Sequence, residues 1–100
     1  MLILAGHLKT SPDLVVELAG TLRALVEPTL REDGCLAYHF AVDRADQGTI
    51  LVYERWRDQE ALTAHLSQPS VAGVLGTWAE KIDTSGVRKF DAHNERGFMD

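Results

Sequence analysis

One hundred residues, 45% apolar and 25% charged, fit one small globular domain with no room for a second. A net charge of −5, with basic residues scattered among the acids, excludes a binder of nucleic-acid phosphates. No apolar run is long enough to span a membrane, the start lacks the basic residues of a signal peptide, and Cys35 has no partner for a disulfide, so a cytoplasmic location is expected.

Met1 to Lys9 alternates loosely and predicts a first strand. Ser11-Pro12-Asp13 predicts a helix start: a hydroxyl cap, proline at the first helical position and an acid in the first turn. Leu14, Leu18, Leu22 and Leu25, flanked by Val15 and Val26, make its apolar stripe. Pro28 should kink or end this helix. Cys35 to Asp43 reads as a second strand, with Leu36, Tyr38, Phe40 and Val42 on one face. Cys35, Ala37, His39 and Ala41 take the other. Arg44 to Gly48 is a hairpin turn, and Thr49 to Arg57 is the returning strand.

Asp58 caps a second helix with Ala61, Leu62, His65 and Leu66 as its apolar positions. Gln68-Pro69-Ser70 interrupts it. A third helix follows, with Val71, Val74, Leu75, Trp78 and Ile82 on one face. After the turn Thr84-Ser85-Gly86, Val87 to Ala92 forms a last strand. Residues 1–92 thus make a single domain, and 93–100 a polar tail. The order predicts an α+β, ferredoxin-like βαββαβ subunit, an antiparallel sheet with helices on one face. The bare face, carrying Leu51 and Tyr53, would be covered by a second copy.

Candidate chemistry gathers at one corner. On the returning strand Val52, Glu54 and Trp56 share the core side, near the helix stripe that carries His65. A buried carboxylate meeting an imidazole would be an acid/base pair. The same residues allow a plainer reading, in which Glu54 is a structural link and His65, Trp56 and Trp78 are core. His7 on the first strand is either inert or faces an adjoining sheet, His39 belongs to the interface or the surface, and four histidines without ligand spacing predict no metal site. Cys35 reads as a small filler. No phosphate loop, G-x-S-x-G elbow or H-E-x-x-H is present.

Three stretches in order, Glu32-Asp33-Gly34-Cys35-Leu36-Ala37-Tyr38, Tyr53-Glu54-Arg55-Trp56 and Glu60-Ala61-Leu62-Thr63-Ala64-His65-Leu66, resemble the antibiotic biosynthesis monooxygenase domain family. The resemblance implies a ferredoxin-like subunit that dimerises through its sheet, with a pocket between sheet and helices. It implies oxygenation without metal, flavin or other cofactor, in which an electron-rich aromatic anion reacts directly with oxygen. Glu54 and His65 would be catalytic; His7, Tyr38, Val52, Trp56, Leu62 and Trp78 would bind substrate. Val52, Leu62 and Leu75 stand where the family's polyketide oxygenases carry polar side chains, which argues against a polyketide anthrone; the resemblance together with a wall of Trp56 and Tyr38 makes a quinol or similar hydroxylated aromatic the first expectation. His7, His65 and Leu75 replace the Asn, Trp and His of the haem-degrading relatives. A branch that isomerises a phosphorylated small molecule has a helix histidine matching His65, so an isomerase using His65 and Glu54 is a second expectation. A non-catalytic dimeric ligand-binding protein is a third.

Overall fold

Strand β1, Leu2–Thr10, lies at the centre of the sheet in the computed structural model, which describes residues 1–100. It pairs antiparallel with β3, Thr49–Trp56, and β3 in turn with β2, Cys35–Arg44. On its other side β1 meets the short β4, Ile82–Asp83, at one end and β5, Val87–Asp91, along the rest. Four helices complete the chain: α1 (Val15–Arg23), α2 (Val26–Leu30), α3 (Gln59–Leu66) and α4 (Pro69–Trp78). The result is the expected α+β, ferredoxin-like subunit. No helix is long and apolar enough to cross a membrane.

The period of two decides which strand residues meet the helices. Leu8, Ile50 and Val52 pack with Val15, Leu18 and Leu22 of α1 and with Trp78 of α4. A second cluster joins Leu2, Tyr38 and Trp56 to Ala61 and Leu62 of α3. Ile50 and Trp56 are fully buried, and a buried aliphatic side chain of this size contributes about 1.5–3 kcal/mol. On the opposite face Leu51 and Tyr53 are 43% and 42% exposed.

Several local expectations need correction. Ser11 does not cap the first helix; its hydroxyl turns to the Asp13 carboxylate, and Pro12–Leu14 form a short 3₁₀ turn before α1. The break attributed to Pro28 falls between Arg23 and Val26, and Pro28 itself lies inside α2. A proline's ring crowds the carbonyl four residues earlier, here Ala24, so the helix breaks one turn upstream. In β2 the register passes from Cys35 opposite Trp56 to Ala37 opposite Arg55, which makes Leu36 a bulge residue. Leu36 is therefore half exposed, and Cys35 takes its place on the core side. Ile82 leaves the helix and pairs with Thr10 in β4, still packed against the main cluster. Asp58 does cap α3, its carboxylate accepting the Ala61 amide at 2.9 Å.

Candidate functional site

Sheet and helices do not close completely over each other. They leave a cavity of about 270 Å³ lined by 18 residues, of which 15 are hydrophobic. The other three are Glu54, His65 and Thr84, so no cationic side chain faces the space. Strand β3 turns Val52 and Glu54 inward, β2 supplies Tyr38 and Phe40, α3 supplies His65, and α4 supplies Trp78. The register places Glu54 between Tyr38 on one neighbouring strand and Leu4 on the other.

Glu54 is buried, and the Trp56 indole N–H donates to its Oε1 at 3.0 Å. Burial pushes the Glu54 carboxyl above the usual carboxylate range; the Trp56 bond and the nearby His65 pull it partly back. The imidazole of His65 lies between aromatic rings, with centroids 4.7 Å from Trp56 and 5.1 Å from Tyr38. Its Nδ1 stands 3.0 Å and 3.1 Å from the two carboxylate oxygens of Glu32. Burial, then the carboxylates of Glu54 and Glu32, drives the Tyr38 hydroxyl well above its ordinary value, with an opposing contribution from Thr29. The Cys35 thiol is raised by burial, then by Glu32 and Glu54, which disfavours the nucleophilic thiolate.

Of the residues singled out in the sequence, Tyr38, Val52, Glu54, His65 and Trp78 line the cavity together. Trp56 and Leu62 do not. Both lie behind the wall, in the cluster under α3, and Trp56 reaches the site only through its N–H on Glu54. His7 stands outside altogether: it pairs with Leu51 on the opposite face and bonds Asp43 at 3.1 Å. The expected meeting of Glu54 and His65 is also revised, since the direct partner of His65 is Glu32. Sequence reasoning missed Glu32 as a site residue, although it opens the stretch Glu32-Asp33-Gly34-Cys35. Gly34, at φ 86°, is the signal: a glycine turn lets this segment come close to Ala61 on α3. No three His, Cys, Asp or Glu side chains converge as metal ligands.

The family model for antibiotic biosynthesis monooxygenase matches residues 1–74. Protein sll1783 of Synechocystis, uncharacterised, is 32% identical over 68 residues, which are 68% of this chain and 46% of its own length. "Putative monooxygenase Rv0793" of Mycobacterium tuberculosis is 38% identical over 58 residues, 58% of this chain and 56% of that one. The chain thus spans about half the length of these two relatives. "Putative monooxygenase YcnE" of Bacillus subtilis is 25% identical over 82 residues, covering 82% of this chain and 86% of its own. In three dimensions, a crystal structure from Deinococcus radiodurans named as a "putative antibiotic biosynthesis monooxygenase" superposes with a TM-score of 0.84 at 26% identity, over 100% of both chains. The structure of Rv0793 gives a TM-score of 0.81 at 26% identity, over 96% of this chain and 98% of that one. Matched by the family model over residues 1–74, and sharing the fold of these structures, the chain belongs to the antibiotic biosynthesis monooxygenase family.

Proposed function

We propose that this protein is a cofactor-independent monooxygenase of a quinol or similar hydroxylated aromatic, working as a homodimer. One observation carries the reading: an apolar cavity whose acid/base groups are Glu54 and His65. A dry, aromatic-walled space suits a flat uncharged ring and keeps water from an electron-rich anion. The absence of a lining Lys or Arg disfavours carboxylated or phosphorylated substrates. In the reaction the quinol supplies all the electrons. One atom of oxygen enters the ring and the other leaves as water, giving a hydroxyquinone. His65 and Glu54 take the hydroxyl protons and return them to the departing oxygen, so no net proton is consumed. Oxygen uptake with a panel of hydroquinones tests this. The expected result is uptake above the buffer rate with a hydroxylated product; no uptake across the panel overturns it.

The same acid/base groups suit a second reading, a proton-shuttling isomerase of an uncharged substrate. Product formed under nitrogen would establish that reading, and complete dependence on oxygen would eliminate it. The open cavity weighs against a non-catalytic partner whose pocket is filled by side chains, and it suits a non-catalytic ligand-binding protein as well as an enzyme. A cytoplasmic location accompanies the proposal, resting on the unpaired Cys35.

The dimer reading rests on the face away from the helices. Leu51, Tyr53 and Phe90 are 43%, 42% and 54% exposed there, an apolar surface that a second copy would bury. Light scattering at micromolar concentration should give twice the 11.1 kDa subunit mass. A single-subunit mass would overturn the dimer.

A further inference from the structure

We infer that Glu32 is the positioning residue of the site: its carboxylate fixes His65 with the proton on Nδ1, so that Nε2 is the proton acceptor offered to the cavity. The inference deepens the proposed oxygenase and rests on the cavity being its reaction chamber.

A carboxylate presents only acceptors. With both Glu32 oxygens 3.0–3.1 Å from Nδ1, that nitrogen must be the donor. The second nitrogen, Nε2, makes no hydrogen bond within the protein, although no buried polar side-chain atom is left without a partner. Nε2 therefore keeps a small accessible surface, and the cavity is the space that the otherwise buried His65 side chain lines. Trp56 and Tyr38 hold the ring from two sides, so it cannot turn to exchange its nitrogens without displacing them. The charged and titratable groups around the imidazole are Glu32 following α2, Cys35 and Tyr38 on β2, and Glu54 on β3.

The step follows directly. The O–H bond of a bound phenol breaks, its proton bonds to Nε2, and the electron pair stays on the phenolic oxygen. The imidazolium keeps its Nδ1–H on Glu32, whose negative charge stabilises the new positive charge. Glu32 lines a separate outer depression with Asp33 and Arg57 rather than the cavity, so it acts only through His65.

The test is the imidazole nitrogen spectrum of ¹⁵N-histidine-labelled protein, with His65 assigned by its loss in His65→Asn. The wild-type protein should show Nδ1 of His65 protonated and Nε2 bare; a proton on Nε2 overturns the inference. In Glu32→Gln the amide can donate as well as accept, so a population with the proton on Nε2 should emerge. An unchanged spectrum in a folded Glu32→Gln would also overturn it. With a quinol that turns over, the same variant should lose about a hundredfold in kcat, the lower end of a general base's contribution, with KM held. If no quinol is oxidised, the oxygenase reading falls and the nitrogen spectrum still decides the role of Glu32.

Discussion

Glu54→Gln is expected to lower turnover by roughly two to four powers of ten, the range that general acid–base groups contribute, and to leave the fold standing. Glutamine keeps the shape and an oxygen for the Trp56 indole N–H, but it can neither accept nor return a proton. The carboxyl is raised above its ordinary value of 4.5, first by burial. Its folded form therefore holds a proton more tightly than the unfolded chain does. The stability this contributes is fully present below about pH 4.5 and is lost as pH rises through the raised folded value. The wild-type melting temperature should thus fall, relative to Glu54→Gln, as pH rises through that window. At neutral pH the variant should be at least as stable. The acidic limb of the wild-type rate profile, which reports ionisation of Glu54, should vanish in the variant. Melting curves and initial rates from pH 4 to 8 check both statements. A variant that melts early yet turns over normally would return Glu54 to a structural role.

Gly6→Ala is expected to cost about 3 kcal/mol or more, the combined size of backbone strain and steric overlap. Gly6 lies in mid-β1 at φ 140°, a region that side-chain-bearing residues rarely adopt. A Cβ there would run into the carbonyl of Gly86, in the turn that leads into β5. That carbonyl accepts the His7 amide at 3.3 Å, so β5 can be relieved only by giving up its seam with β1. For a domain of this size such a loss lowers the melting temperature by roughly 10–20 °C. The damage should extend to the cavity, because Gly6 lies level with Val52 and Val87, two of its lining residues. Thermal denaturation of the variant checks this, and a melting temperature within a degree or two of wild type would refute it.

Much of the architecture could be read from residue order. Alternation in Thr49–Trp56 set Val52, Glu54 and Trp56 on one face, and the register confirms that face as the helix side. Asp58 announced α3, and the stripe Leu18-Leu22 announced the face of α1 that enters the core. Such signals are legible because backbone geometry repeats every two or 3.6 residues, so a side chain's direction follows from its neighbours in sequence.

Depth and partnership obey no such repeat. Trp56 shares a face with Glu54, yet α3 covers it and leaves Glu54 on the cavity. One extra residue at Leu36 reversed the assignment of Cys35 without a mark in the alternation. Glu32 and His65 are 33 positions apart, and their contact exists only because the glycine turn at Gly34 and the capped start at Asp58 deliver both to one place. Direction is a local property of the chain and was determined by the sequence wherever the repeat runs unbroken, which excludes the bulge at Leu36. Proximity between distant segments depends on how whole elements pack, and only the tertiary structure decided it.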